Sequence, residues 1–470
     1  MSLSRSLHWC PLACFVLLAG VVNCGEMLAD ENSIASSESK RQAAQSDYVI
    51  VVRTTTTEDA DWAKVVETLQ KKHDAKILTY ENSISEVSDD LQDIFPRYTC
   101  FVTKHEQVNP TFIKAIYRVT ADLDEDPYVD TFWAVLTGFD ATNALEIAKH
   151  SQPLTIGKVA SGTEFATDMV REGQWYDELV KNKHVRKDAE GDVQELKGPD
   201  DTTQALADLL NEYQPDLMIT SGHATQRNWQ IGFRYRNGYF KSAQGQMFGQ
   251  DVRRKQIEID SKNPKVYLPI GNCLMGDIDG ADAMALAWMN DCGVRQMLGY
   301  MEPTWYGYMG WGVLDYFVEQ PGRFTLTEAF FANHHALMHR LTQEELNSMD
   351  KRGLEFDKNV VAYYGDPKWQ AKMAELPCRY EQSLESEGDT YTLRITPKAG
   401  EASFLPVNTN GAQRGWRPMI QVLPKRVEML ELLEGTELNP VIADDFVLVP
   451  NPRKCDPQRE YVVKFRARKL

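Results

Sequence analysis

Short β-rich runs alternate with amphipathic helical stretches from Tyr48 to Tyr364, and from about Pro377 the β runs continue without helices. Strand and helix in alternation predict an α/β protein built on a mostly parallel sheet. The helix-free tail predicts a β-sandwich behind it. At 470 residues the chain exceeds what one hydrophobic core usually organises, which agrees with more than one packed unit.

The first α/β unit, 48–152, contains expected strands at Tyr48–Val52, Lys76–Thr79, Tyr98–Val102 and Phe132–Thr137. Expected helices lie at Trp62–Lys72, Val87–Ile94 and Ala141–His150. The second unit, 153–376, opens with a strand at Leu154–Val159, followed by an exposed charged loop at His184–Asp201. It continues with a helix at Thr203–Tyr213, strands at Leu217–Thr220 and Val266–Ile270, and a helix at Asp279–Asn290. Ile231–Ser242 alternates around Asn237-Gly238, a dipeptide that favours hairpin turns. A strand at Val294–Leu298, two long helical stretches up to Glu345 and a strand at Asn359–Tyr364 complete this unit. The sandwich, 377–470, has expected strands at Tyr391–Thr396, Met419–Leu423, Phe446–Val449 and Tyr461–Arg466.

Ahead of the folded part, Arg5 precedes the apolar run Leu12–Val22, which gives way to polar residues. That order is a secretory signal over 1–24, and eleven apolar residues are too few for a bilayer span of roughly 20. Cys24 admits a lipidated alternative, although Asn23 stands where a small residue is expected. Residues 25–47 are polar and read as a disordered leader. An exported protein follows from this reading, secreted, periplasmic or on the cell surface. The net charge of -17, without a long Lys/Arg run, argues against a nucleic-acid footprint and an anionic-lipid partner. Five cysteines lie beyond the signal, an odd number, so one free thiol is expected in an oxidising compartment. If Cys273 is that thiol, the other four have three possible pairings.

Two apolar strands end in reactive residues: Asp216-Leu-Met-Ile-Thr-Ser-Gly-His223 and Lys265-Val-Tyr-Leu-Pro-Ile-Gly-Asn-Cys273. Open parallel sheets place ligands and catalysis at the carboxyl ends of strands, so both side chains are expected on one rim. An imidazole beside a thiol lowers its pKa and carries the proton for the leaving group, which points to Cys273 as nucleophile and His223 as base. The alternative for each residue alone is a buried small hydrophobe and a bonded loop histidine.

Ser221-Gly222-His223, Trp229, Asn272-Cys273-Leu-Met-Gly276-Asp277 and Tyr364-Gly365-Asp366-Pro367 occur in the order in which the gingipain-type cysteine peptidases carry similar motifs. Asp126-Pro-Tyr128 and Met301–Trp305 fall at compatible places, and the resemblance covers about residues 48–470. It implies a caspase-like α/β fold in two subdomains followed by an immunoglobulin-like sandwich. It further implies peptide hydrolysis through a Cys-His dyad and an acyl-enzyme, with protein or peptide substrates and no cofactor. The spacing of His223 and Cys273, about 50 residues, matches a known caspase-type arrangement. The resemblance also implies an oxyanion hole from the N–H groups of Cys273 and Ala224, and an imidazole-orienting acid at Glu164. Trp305 and Asp168 would then line the pocket for the substrate side chain. Ala224 departs from the family's Gly, keeping the N–H but forbidding a relaxed positive φ. Asn272 replaces a small apolar residue.

Two rivals remain open. One is an exported binding or adhesion module that keeps the peptidase fold without activity. The other is a metal-dependent hydrolase using His334, His335 and His339, although the HExxH spacing is missing. Asp277-x-Asp279-Gly280 faintly suggests a calcium loop without the later acids.

Overall fold

The Tyr48–Arg53 segment, YVIVVR, is buried along almost its whole length, as a strand covered on both faces by helices must be. In the computed structural model, which describes residues 47–470, it is β1 of a twelve-stranded sheet. The others are β2 (Lys76–Tyr80), β3 (Tyr98–Val102), β4 (Phe132–Leu136), β5 (Lys158–Ser161), β6 (Glu172–Tyr176), β7 (Lys183–Lys187) and β8 (Val193–Lys197). They continue with β9 (Leu217–Thr220), β10 (Lys265–Pro269), β11 (Val294–Tyr300) and β12 (Val361–Gly365). Their spatial order is β2-β1-β3-β4-β12-β11-β10-β9-β5-β6-β7-β8. The signal, Cys24 and leader assignments lie outside the described residues.

Strand direction reverses between β12 and β11, and again at the edge, where β6, β7 and β8 are antiparallel neighbours. β12 is parallel to β4 but antiparallel to β11, while β11, β10, β9, β5 and β6 run parallel to one another. The carboxyl ends of β9 and β10 therefore emerge on one rim, and those of β1, β3 and β4 on the other. Helices cover the faces and start where the sequence supplies caps. Asp59 accepts from the Asp61 and Trp62 amides before Ala60–His73, and Asn109 caps Pro110–Ala121 with Pro at its first position. Thr325 and Glu328 form a capping box at Leu326–Gln343.

After this layer come a four-stranded sheet (Tyr380–Glu387, Thr390–Pro397, Tyr461–Lys469, Val427–Glu434) and a three-stranded one (Met419–Val422, Phe446–Val449, Val441–Ile442). Leu393, Ile395, Val463 and Phe465 close a separate apolar core between them with Val447 and Val449. The result is a mixed α/β body with a large, mostly parallel sheet and a carboxyl-terminal sandwich. Arg414 bonds Asp315 at 2.8 Å and Glu319, all nearly fully buried, and so ties a sandwich loop to the α/β part. Among the described residues no helix is long and apolar enough to cross a membrane.

Several elements differ from the sequence expectation. His184–Asp201 is not a loop: Lys183–Lys187 and Val193–Lys197 form a hairpin that ends the main sheet. Leu154–Val159 splits at Gly157, because Leu154–Ile156 pairs with Ala371–Met373 and only β5 enters the main sheet. The helix expected from Asp279 begins at Met284. The tight turn is not at Asn237-Gly238, which belongs to a longer connection. It is at Gln244-Gly245, both with positive φ, between Tyr239–Ala243 and Gln246–Gln250.

Candidate active site

β9 and β10 are parallel neighbours in register from Leu217 opposite Val266 to Thr220 opposite Pro269. Their carboxyl ends deliver Ser221-Gly222-His223 and Ile270-Gly271-Asn272-Cys273 to the same rim. The two segments are locked together by a short polar chain. The Tyr267 hydroxyl meets the Thr220 hydroxyl at 2.8 Å, Thr220 donates to Asn272 Oδ1 at 2.6 Å, and Asn272 Nδ2 donates to the Gly222 carbonyl at 3.0 Å. Asn272 is 0% exposed, so this chain is sheltered from competing water. Close approach explains Gly271, where a Cβ would fall 2.6 Å from Ser221 Oγ and 2.8 Å from Trp311 Nε1.

Beyond Cys273 the backbone turns sharply. Leu274 has φ of 59°, a left-handed conformation that costs a non-glycine residue about 1–2 kcal/mol. The turn is held from behind: Gly276 lies against Gly299, and the Tyr364 hydroxyl donates to the Gly276 carbonyl. Tyr364 thus anchors the Cys273 loop from β12. Two residues on, Asp366 anchors the helix Ala60–His73 through His73 and Lys72.

Cys273 and His223 line one cavity of about 460 Å³, together with Glu178, Phe233, Thr304, Trp305 and Asn410. The half-buried Cys273 thiol lies 3.6 Å from the Thr304 carbonyl, to which it donates. The His223 ring is exposed and tilted against Phe233, with centroids 4.7 Å apart. Phe233 is itself fixed by its N–H to the Glu178 carbonyl at 2.7 Å. Trp305 is 49% exposed, with Phe356 and Tyr306 at its edge.

Ala224 lies in a short extended strand, Ala224–Thr225, rather than in the left-handed region, so the change from Gly introduces no strain. Gln230 N–H bonds the His223 carbonyl at 2.8 Å, which makes His223/Gln230 a hydrogen-bonded pair. Ala224/Trp229 is then the next, non-bonded pair, and the Ala224 N–H points away from the partner strand.

Glu164 and Asp168 do not line the cavity. Glu164 accepts from Asn408 at 3.2 Å, and Asp168 is exposed on the short turn Thr167–Met169. The acid that does reach the cavity is Glu178, which carried no local signal because it sits in an irregular link between β6 and β7. It is 7% exposed, and Thr163 donates to its Oε1 at 2.9 Å. Burial pushes its carboxyl up to about 7, outweighing the Thr163 and Ser221 bonds that favour the charged form. Asn410 is also unanticipated: it reaches the cavity from the sandwich and donates to the Glu164 carbonyl at 3.1 Å.

The other candidates are structural. His334, His335 and His339 are buried, with His334 against Tyr117 and His335 stacked on Phe446 at 4.3 Å. Burial holds all three below the usual histidine range. Asp277 and Asp279 accept from Gln226 and Arg227 and clamp the turn after Ala224 to the loop after Cys273. Among the described residues, the group of three ligating side chains within 4.8 Å of one another is Asp124, Asp126 and Asp130, outside this cavity. Cys100, Cys273, Cys292, Cys378 and Cys455 are all unbridged.

No protein-family model and no curated protein matches the chain. Two solved structures are similar to it. The Arg-specific cysteine proteinase gingipain R (RGPB) has 10% identity and a TM-score of 0.46, over 90% of this chain and 98% of that one. The complex of Porphyromonas gingivalis RgpB pro- and mature domains has 10% identity and a TM-score of 0.45, over 90% and 99%. Likeness at this level fixes no activity for this chain.

Proposed function

We propose that the protein is an exported cysteine endopeptidase in which Cys273 attacks the substrate carbonyl and His223 takes and returns the proton. The observation that carries this reading is the shared cavity of Cys273 and His223 at the carboxyl ends of neighbouring strands, with Asn272 tying the two segments. The thiolate adds to the carbonyl carbon, and the Cys273 and Ala224 N–H groups hold the oxyanion. Collapse expels the amine, which takes a proton from His223, and water hydrolyses the acyl-enzyme. Phe233 supports the imidazole in place of the expected Glu164. Trp305 and Glu178 flank the substrate side chain, and Glu178 replaces Asp168 in that role. The signal-like amino terminus supports export.

The reading as a binding module draws on one observation, the Cys273 thiol resting on Thr304 rather than on an imidazole. Hydrolysis of a positional-scanning peptide library by wild type and Cys273→Ala separates the two. Cleavage by wild type that vanishes in the variant is expected. A folded wild type that cleaves no member, or a variant that cleaves equally, refutes the peptidase.

A further inference from the structure

A second cavity, about 380 Å³, lies between the helix Pro110–Ala121, the helix Leu326–Gln343 and the corner at Lys358-Asn359. Its size is that of a small-molecule site. Its wall combines apolar surface from Tyr117, Val129 and Met338 with three cationic side chains, Lys114, Arg118 and Lys358, and contains no carboxylate. On a chain of net charge -17, three cationic side chains and no acid share this wall. The partners of two of them stand outside the cavity: Lys114 reaches Glu302, and Lys358 reaches Glu355 at 2.6 Å. The Arg118 side chain is exposed and makes no hydrogen bond or ion pair among the described residues. Its guanidinium is therefore free to take a carboxylate through two parallel N–H bonds. The imidazole in the wall, His334, donates from Nε2 to the Lys358 carbonyl at 2.9 Å and stacks on Tyr117, so it adds rigidity rather than negative charge.

We propose that this cavity binds a small amphiphilic carboxylate, its apolar body against Tyr117, Val129 and Met338 and its carboxylate on Arg118 with Lys114 and Lys358. The site is separate from the cavity of Cys273 and stands independently of the peptidase reading, because no residue lines both.

Isothermal titration of the full chain with 4-phenylbutyrate, 4-phenylbutylamine and acetate tests it. Phenylbutyrate is expected to bind in the sub-millimolar range, with the amine and acetate at least tenfold weaker. In Arg118→Glu, an exposed position whose replacement leaves the core untouched, phenylbutyrate binding should fall at least tenfold. The Cys273→Ala variant should bind as wild type does. Equal binding of the amine would reduce the cavity to an apolar hollow and overturn the proposal. So would absence of phenylbutyrate binding, or unchanged affinity in Arg118→Glu with circular dichroism showing a native fold.

Discussion

Asn272 donates its side-chain amide to the Gly222 carbonyl at 3.0 Å and thereby joins the backbone ahead of Cys273 to the backbone ahead of His223. The same side chain accepts from Thr220, so one residue spans both strand ends. Replacing it by Ala takes the donor from the half-buried Gly222 carbonyl and leaves the Thr220 hydroxyl with Tyr267 alone, a loss of about 1–3 kcal/mol. Asn272→Ala should lose about 1–3 kcal/mol of stability and most peptide cleavage, whereas Thr220→Ser, which keeps the hydroxyl, should cost less on both counts. Urea unfolding beside a cleavage assay reads both. An Asn272→Ala protein as active as wild type would show that the bridge does not position the pair.

Glu178 makes stability depend on pH in a defined direction. Its folded carboxyl lies near 7 against 4.5 unperturbed, so between those values the folded state holds a proton that the unfolded chain has released. Stability contributed by the neutral form is complete below pH 4.5 and is lost as pH rises through 7, to an extent of about 3 kcal/mol. Glu178→Gln should therefore be more stable than wild type at pH 8 and close to it at pH 4.5. Melting temperatures of the two proteins across that range give the difference, and parallel curves would place Glu178 in a more hydrated setting.

Asp366 acts with the opposite sign. Burial alone would raise its carboxyl, but the His73 hydrogen bond and the charges of Lys72 and His73 hold it down to about 2. Its stabilisation is present above about pH 3.8 and is lost as pH falls through 2. Asp366→Asn leaves Lys72 without its counter-charge and weakens the bond to His73. A loss of about 3–5 kcal/mol at pH 7 is expected from breaking such a buried pair. Chemical denaturation at pH 7 checks it, and a loss under 1 kcal/mol would contradict the network.

The strands most legible in the sequence were those buried on both faces, such as Leu217–Thr220 and Phe446–Val449, because their apolar runs end sharply at Gly, Pro or charged residues. Cys273 and His223 were legible for the same reason, standing just past such runs. The helix Pro110–Ala121 is absent from the expected elements although Asn109-Pro110 is a clear start signal. The β7–β8 hairpin was hidden by composition: Val193–Lys197 is exposed throughout and carries loop-like charges. Glu178 and Asn410 reach the cavity only through long-range packing, which no spacing rule encodes. Glu164 followed from a family role attached to the nearest acid, and the chain satisfies that acid elsewhere.

The reactivity of Cys273 tests the proposed chemistry most directly. Burial raises the Cys292 thiol to about 12 and Cys100 higher still, and it raises the half-buried Cys378 as well. None of these forms appreciable thiolate at pH 6, and an ordinary exposed thiol, with a pKa near 8.5, forms under about 1%. A thiol that shares its proton with an imidazole keeps reacting in that range. Iodoacetamide at pH 6 should accordingly label Cys273 first, at least tenfold faster than Cys455, with peptide mapping to assign each site. His223→Ala, at an exposed position, should retain the fold and move the onset of Cys273 labelling up towards pH 8. Phe233→Leu removes the ring against which the imidazole rests and should give an intermediate rate. If Cys273 reacts equally with and without His223, the imidazole does not activate it, and the binding-module reading takes its place.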